Sequence, residues 1–388
     1  MHRSGLFNGA GLLAGPLFLA AMLPPAGAQG NISCANGQCV RVYEGSAPAA
    51  SKLRVNAHGP VAVQGAVSDK IVYTVKVTVS AHSEAMARRL LENYRVRTEP
   101  RDGWLVLTAP GGSAISAVTV RAPRLASAVI ATSDGAVQAT GIEGSVDVDS
   151  GAGELFADRI GGDCNLLTGA GDVNVGQVGG GLHCTTGAGR ISVRNVRGEA
   201  ILQTQGGDIV ANEAGASLRA ETGGGGIHIG SAGGAVTAIS GGGQIVVEKA
   251  GGVVTLRNLA GPVQVGSAAG VRCESVSGGV RIAQASGPMR VSTTMGSIFA
   301  SLIGGRIADS FLATANGDIT VLIPSNLGVT IQAQNSMADT LRRIVSDFPA
   351  VPVRRQGTRI IAEGAVNGGG PLLQISGMGG TIFIKRQP

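Results

Sequence analysis

The segment TGAGDVNV, residues 168–175, places an aspartate beside a glycine turn and could therefore bind a cation or a phosphate. A calcium-binding repeat needs an acidic residue in every turn, because the ion takes roughly six to eight oxygen ligands from successive turns. A phosphate loop needs Lys-Ser or Lys-Thr after its glycines, and neither follows here. Only the glycines recur, so the segment is predicted to be an architectural corner. In successive repeats the aspartate position holds Glu154, Asp172, Arg190, Asp208, Gly226, Gln244 and Pro262.

The stretch 132–172 is acidic, with eight carboxylates and Arg159 as its one basic residue. Glu154 and Asp172 lie one repeat apart and should stack directly, which is repulsive unless a cation or Arg190 lies between them. One interpretation is a weak metal site, and the one that we favour is a solvated acidic face. The carboxylates belong to Asp134, Glu143, Asp147, Asp149, Glu154, Asp158, Asp163 and Asp172.

Asp147 and Asp149 could act as the paired carboxyl groups of a polysaccharide hydrolase. They flank the inward-facing Val148 and should project outward about 7 Å apart, within the roughly 5–9.5 Å that such enzymes use. An aromatic platform for a sugar is missing, because Trp104 is the only tryptophan and no tyrosine follows Tyr94. We therefore predict that the protein is not an enzyme and takes no cofactor, with a polysaccharide-active β-helix as the alternative.

The five cysteines fall into two groups. Cys34 and Cys39 lie five residues apart near the start of the chain and could form a small disulfide loop in an oxidising compartment. The alternative for this pair is two free thiols on a mobile end. Cys164, Cys184 and Cys273 occupy positions that other repeats fill with Val, Leu or Ala, so they are predicted to be small core residues. A disulfide between Cys164 and Cys184, in adjacent coils but two places out of register, is the alternative.

The elements that must position these residues follow from a repeat of 18 residues. A column of glycines marks one corner of each repeat, and a second column lies about half a period later. Apolar residues alternate between the corners, as half-buried strands require. Two short strands per repeat favour a single-stranded parallel β-helix, that is, an all-β solenoid, with the right-handed coil that is the default for β-crossovers. The structural glycines of the first corner are Gly135, Gly153, Gly171, Gly189, Gly207, Gly225, Gly243 and Gly261.

Coils stacked about 4.8 Å apart place equivalent residues in ladders. Glycine should be needed at the corners because the turn requires a positive φ and because a Cβ would crowd the next coil. Two inward ladders are apolar, and a third carries hydroxyls that can bond to the corner backbone. The ladders are Val146-Cys164-Leu182-Ala200-Leu218-Val236-Val254, Val148-Leu166-Cys184-Leu202-Ala220-Ala238-Leu256-Cys273 and Ser150-Thr168-Thr186-Thr204-Thr222-Ser240.

Composition agrees with ordered, turn-rich β structure. The chain of 388 residues contains 63 glycines and is 44% apolar but only 14% charged. A disordered chain would be poorer in apolar residues. Aromatic residues make up 3% of the chain, which leaves few stacking partners for bases, so nucleic acid is not predicted as a partner.

The first 28 residues have the pattern of a secretory signal peptide. Arg3 precedes the apolar segment GLLAGPLFLAAML, and small residues at 26–28 precede a cleavage position near Gln29. No later segment is long and apolar enough to predict a transmembrane helix. The mature protein is therefore predicted to be exported and to be periplasmic, on the cell surface or extracellular.

Four segments follow the signal peptide. Residues 29–51 are predicted to be an N-terminal linker with the disulfide loop, and 52–131 a β-rich cap. The regular solenoid should occupy 132–323, and 324–388 should form irregular coils and a C-terminal cap. The arginines of this cap are interpreted as solvated residues that resist edge pairing, and contact with an anionic surface is the alternative.

One short helix, SEAMARRLLENY, is predicted in the N-terminal cap. Ser83 is its expected N-cap, and Met86, Leu90 and Tyr94 share one stripe.

The units TGAGDV, TQGGDI and ANGDITVLIP and the closing segment GGGPLLQISGMGGTIFIKR resemble a bacterial β-strand-repeat family described as "putative adhesins", a domain of unknown function. The resemblance covers about residues 52–386. It implies a β-solenoid at or outside the inner membrane, without accepted catalytic residues. Glycine replaces the family's usual polar corner residue in TGGGGI and SGGGQI, which disfavours side-chain ligands at those corners.

The sequence thus predicts an exported, non-enzymatic β-solenoid that acts as an adhesin-like scaffold. It would bind a partner of the cell envelope or a surface through its extended faces. Besides the polysaccharide-active enzyme, a second alternative is a filament unit that associates end to end through its oppositely charged ends.

Overall fold

The computed structural model describes residues 30–35, 37–303, 307–336 and 343–387. The predicted signal peptide therefore lies outside the described residues. Within the described ranges the chain forms 36 strands and one helix, and the strands lie in two sheets of 18, named here sheet A and sheet B. No helix in these ranges is long and apolar enough to cross a membrane.

The strands of the N-terminal part are β1 (Ser33–Ala35), β2 (Gln38–Pro48), β3 (Lys52–Ala57), β4 (Val61–Gly65), β5 (Lys70–Ser80), β6 (Arg97–Arg101), β7 (Trp104–Thr108), β8 (Ala114–Ala122) and β9 (Ser127–Thr132), and the helix is α1 (Glu84–Asn93).

The strands of the regular coils are β10 (Val137–Ile142), β11 (Ser145–Ser150), β12 (Leu155–Ile160), β13 (Cys164–Thr168), β14 (Val173–Val178), β15 (Leu182–Thr186), β16 (Ile191–Val196), β17 (Ala200–Thr204), β18 (Ile209–Ala214), β19 (Leu218–Thr222), β20 (Ile227–Ala232), β21 (Val236–Ser240), β22 (Ile245–Ala250), β23 (Val253–Ala260), β24 (Val263–Ala268), β25 (Gly270–Ser277), β26 (Val280–Ala285), β27 (Met289–Met295), β28 (Ile298–Leu302), β29 (Ser310–Asn316) and β30 (Ile319–Ile323).

The strands of the C-terminal part are β31 (Val329–Asn335), β32 (Ile344–Ser346), β33 (Val353–Gln356), β34 (Arg359–Val366), β35 (Leu372–Gly379) and β36 (Ile382–Arg386).

The chain winds as a β-solenoid of about 11 turns of roughly 18 residues, which confirms the predicted fold class. Successive strands of the regular coils alternate between sheet A and sheet B, and each pairs in parallel with the strand one coil further on. Val137 lies beside Leu155, and Leu155 lies beside Val173, in the register of the sequence repeat. The two apolar ladders also lie in register, and their members are buried.

The hydroxyl ladder joins the sheet-B strands from β11 to β21 to the corner of the preceding coil. The Thr222 hydroxyl donates to the carbonyl oxygen of Gly207 at 2.8 Å, and the N–H of Gly225 donates to the same hydroxyl at 3.0 Å. The predicted bonding of this ladder to the corner backbone is therefore confirmed, and further along it Asn258 replaces the hydroxyl residue. Because every buried backbone group needs a partner, these side chains satisfy groups that the sheets leave free.

The corner glycines meet two different requirements. Gly135, Gly153, Gly171 and Gly261 have positive φ values between 100° and 132°. The other four first-corner glycines do not, so the expectation that every corner needs a positive φ is wrong. The requirement that all eight positions share is close approach of neighbouring coils, because a Cβ at each of them would overlap backbone atoms of the adjacent coil.

The N-terminal part differs from the predicted linker and helix stripe. Residues 38–48, expected to belong to a linker, form an eleven-residue strand that pairs antiparallel with β5. Ser83 caps α1 by accepting the N–H of Met86 at 3.3 Å, but Met86 is 56% exposed. The helix packs instead through Ala87 and Leu91, one position further along, because this stripe faces β2 and β5.

The two ends of the solenoid are not stacked in chain order. At the N-terminal end, β3 lies between β7 and β9, and β4 lies between β8 and β10. At the C-terminal end, β35 lies between β29 and β31, and β36 lies between β30 and β32. An inner coil at each end is therefore held by strands that are distant in sequence.

Candidate functional site

A concave surface lies on the outer side of sheet A. It arises because the sheet-A strands from β12 to β26 bend before their last buried residue, so that two successive residues face outward. In β12 these are Asp158 and Arg159, between buried Ala157 and Ile160. A groove of about 880 Å³, here called the sheet-A groove, runs along the outer side of sheet A from β10 to β20.

Two glycines of successive coils, Gly161 and Gly179, line the sheet-A groove beside the second corner. The Asp158 carboxylate lies over Gly176, where a side chain of that residue would be. The groove is lined by Gly141, Ile142, Glu143, Arg159, Ile160, Gly161, Gln177, Val178, Gly179, Arg194, Asn195, Arg197, Asn212, Glu213 and Ser231.

The acidic residues around the groove are already engaged. Asp158 accepts the N–H of Gln177 at 3.1 Å and lies 3.6 Å from the Arg159 guanidinium. Glu213 accepts a hydrogen bond from the Asn195 side-chain amide at 2.7 Å. Glu143 lies 3.9 Å from the guanidinium group of Arg124, a residue that does not line the groove.

Two arginines of the groove are not engaged. The exposed side chains of Arg194 and Arg197 have no ion-pair or hydrogen-bond partner within the described ranges. The groove therefore presents two free guanidinium groups beside carboxylates that already have partners.

Arg159 has an unusual backbone. Its φ is +55°, in the left-handed region that L-residues with a Cβ adopt at a cost. The equivalent residue one coil earlier is Gly141, with φ +67°. A side chain is thus held in the groove at a position where glycine would relax the backbone.

Sheet B carries a second, smaller hollow of about 510 Å³ that contains the predicted carboxylate pair. Asp147 and Asp149 both face outward there, as the sequence predicted, and Arg54 and His183 line the same hollow. Asp147 accepts the side-chain amide of Asn165 at 2.6 Å.

Aspartates at the corners serve the backbone. The Asp172 carboxylate accepts the N–H of Arg190 at 2.8 Å, and Asp208 accepts the N–H of Gly226 at the same distance. Asp163 accepts the N–H of Gly181 at 2.7 Å. These carboxylates satisfy N–H groups of the next coil, a role that the sequence analysis missed. A group of three or more side chains suited to a metal ion does not occur among the described residues.

The three later cysteines are buried free thiols in the core, whereas Cys34 and Cys39 form a disulfide with a Cα–Cα distance of 4.1 Å. Burial raises the pKa of Cys164 and of Cys273 from 9.0 to about 12, and that of Cys184 well above 9.0.

These thiols should make the protein less stable in alkali. Above pH 9 they lose protons only in the unfolded chain, so stability that is complete below pH 9 is lost as the pH rises towards 12. We expect the free energy of unfolding in urea to fall by at least about 2 kcal/mol between pH 8 and pH 11. A variant with all three thiols replaced by alanine should show a flatter profile, and an equal slope would contradict the assignment. Tyr94, whose pKa burial raises to about 12, should supply the remaining slope.

The groove arginines Arg194 and Arg197 were not identified from the sequence. The sequence did contain a signal for the bend that forms the groove. In the bent sheet-A strands, two successive polar or small residues interrupt the apolar alternation before the last apolar residue, as in Asp158-Arg159-Ile160.

No protein-family model matches the chain, and no curated protein matches it. Similar solved structures include a "putative cell adhesion protein" from Clostridium sporogenes, with 12% identity over 89% of this chain and 100% of that one and a TM-score of 0.19. A "putative adhesin" from Bacteroides fragilis has 12% identity over 73% and 95%, with a TM-score of 0.21. One from Parabacteroides distasonis has 13% identity over 89% and 97%, with a TM-score of 0.22. Likeness at this level assigns no function to the chain, and the family resemblance remains a prediction.

Proposed function

We propose that the protein is an exported, non-enzymatic scaffold of adhesin type that binds a surface or partner of the cell envelope through the outer faces of its solenoid. The observation that carries this proposal is the alignment of outward side chains into straight columns. Gln177, Asn195 and Glu213, for example, are direct neighbours on three successive coils. A ligand that runs along the axis therefore meets the same column at every coil.

The coil-on-coil pairing supports this role because it presents the columns on a rigid backbone. Parallel ladders join neighbouring coils from β9 to β30, and the hydroxyl ladder ties the corners. A surface that is already ordered loses little conformational entropy when it binds, which favours affinity. The Cys34–Cys39 disulfide is also compatible with an oxidising compartment outside the cytoplasm.

A polysaccharide-active enzyme is the second candidate, and the sheet-B hollow favours it. Asp147 and Asp149 face the same hollow as Arg54, which could bind an acidic sugar. Hydrolysis would however need one carboxyl to donate a proton and the other to remain ionised. Asp147 accepts a short hydrogen bond from Asn165 on the next coil, and this engagement of the carboxylate supports a structural role.

The outermost strands disfavour a filament built by strand pairing between ends. At the N-terminal end, the sheet-B edge is β6, whose sequence RTEPR contains a proline and three charged residues. At the C-terminal end it is β33, whose four residues VRRQ are all exposed. Prolines and charges are the usual means by which proteins prevent pairing of strand edges.

The proposal is tested by binding of the mature full-length chain to washed cell-envelope fragments. We expect saturable co-sedimentation, and we expect the double variant Asp147→Asn with Asp149→Asn to bind equally well. The soluble fraction should contain no glycan fragments beyond those of a protein-free control. Release of fragments by the natural protein but not by the double variant would establish the enzyme instead. Absence of co-sedimentation would contradict the scaffold.

A further inference from the structure

We propose that the sheet-A groove binds one strand of an acidic polysaccharide, an inference that rests on the proposed binding function and names the ligand class for one face. The groove crosses six neighbouring strands of sheet A, from β10 to β20. The first and the last of these strands are separated by five coil steps. At about 4.8 Å per step its length is about 24 Å. A groove of this length along the axis fits an extended chain better than a compact small molecule.

The free charges of the groove select an anion. Arg194 and Arg197 have no partner within the described ranges, whereas Glu143 and Asp158 pair with arginines and Glu213 accepts the neutral side-chain amide of Asn195. A guanidinium can hold a carboxylate through two parallel hydrogen bonds. Two such groups, three residues apart at one bend of the solenoid, can bind carboxylates of one ligand strand.

The neutral polar side chains of the groove favour a glycan over other polyanions. Gln177, Asn212 and Ser231 line the groove, and their side chains have no hydrogen-bond partner in the described part of the chain. Amides and hydroxyls offer both donors and acceptors, which is what sugar hydroxyls require. A ligand recognised by charge alone would have no use for these groups.

The left-handed backbone of Arg159 provides independent support. Gly141 occupies the same position one coil earlier with a similar positive φ, so the bend does not need a side chain there. The Arg159 side chain is 64% exposed, and its one ion-pair partner in the described part of the chain is the neighbouring Asp158 at 3.6 Å. Such a weak, exposed pair does not account for the energetic cost of the left-handed backbone. A role in ligand binding accounts for it, because Arg159 then adds a third positive charge to the groove.

The direct test measures binding of fluorescently labelled polygalacturonate to the mature full-length chain at 0.15 M salt. Arg194→Ala with Arg197→Ala should weaken binding at least about tenfold, because two charge-assisted contacts are lost. The matched control is Arg272→Ala with Arg290→Ala, which removes the same charge from exposed, unpartnered arginines on sheet B. The control should change binding less than about threefold, because distant charges are screened at this salt concentration.

Two further ligands decide whether charge alone is recognised. Neutral dextran should not bind, and polyphosphate of similar chain length should bind more weakly than polygalacturonate. Equal binding of polyphosphate would overturn the glycan assignment. Equal loss of binding in both arginine double variants would overturn the groove as the site. If envelope co-sedimentation persists while polygalacturonate fails to bind, the scaffold function stands and this inference falls.

The substitution Arg159→Gly separates binding from folding. We expect it to raise the urea midpoint of unfolding, because glycine relaxes the left-handed backbone, and to weaken polygalacturonate binding at the same time. A purely structural role for Arg159 predicts a lower midpoint. Unchanged binding, or a lower midpoint, would contradict the role given to this residue.

Discussion

Replacing Gly225 with alanine is expected to destabilise the solenoid by at least about 3 kcal/mol, or to prevent folding, because the added methyl group meets backbone on the neighbouring coil. A Cβ there would overlap the carbonyl group of Gly207 and lie 2.8 Å from the backbone nitrogen of Asp208. Backbone atoms held in the parallel ladders cannot move aside without breaking hydrogen bonds. The free energy of unfolding in urea, followed by circular dichroism, measures the effect.

The adjacent glycine provides the matched control. A Cβ on Gly224 would have no neighbour within 4 Å, and its φ is not in the left-handed region. The substitution Gly224→Ala should therefore change stability by less than about 0.5 kcal/mol. Similar losses at Gly224 and Gly225 would show that the glycines serve flexibility rather than the close approach of coils.

Replacing Leu166 with alanine should cost about 2–5 kcal/mol, the usual range for truncating a buried leucine. Leu166 is 3% exposed and stacks between Val148 and Cys184 in the second apolar ladder. The cavity would lie between parallel strands that cannot collapse into it without losing their register. Urea unfolding of the two proteins measures the difference.

The next residue is again the control, because Leu167 is 47% exposed on the outer face of the same strand. Leu167→Ala should cost less than about 1 kcal/mol. Because the side chains are identical and adjacent, the comparison isolates burial. A larger loss at Leu167 than at Leu166 would mean that the strand is inverted, which would contradict the inward assignment of the ladders.

Most of the regular coils could be predicted from the sequence because the repeat is local and periodic. Glycines every 18 residues mark the corners, and alternation between them separates inward from outward residues. The ladder from Val148 to Cys273 and the bonding of Thr222 to a corner carbonyl both followed from this period and are confirmed. The assumption that inward and outward residues alternate strictly does not predict the bend of sheet A, where the successive residues Asp158 and Arg159 both face outward. The groove was missed for that reason.

The ends could not be predicted in the same way, because their pairing joins segments that are far apart in sequence. The 18-residue period does not predict whether β36 lies beside β30 or beyond β32. It also gave no sign that residues 38–48 would pair with β5. Both arrangements depend on how unpaired strand edges and exposed core at an end are covered, and these are properties of the assembled molecule.

The sequence by itself determined the period of the coil, the faces of its strands and the positions where neighbouring coils must come close, because these depend on residue size and polarity at regular intervals. Only the tertiary structure decided which arginines remain free, which aspartates cap a neighbouring coil and which strands close the ends. These properties depend on contacts between residues that lie in different coils. Arg194 becomes a candidate ligand-binding residue only because it lines one groove together with Arg159 and Gln177 of the two preceding coils.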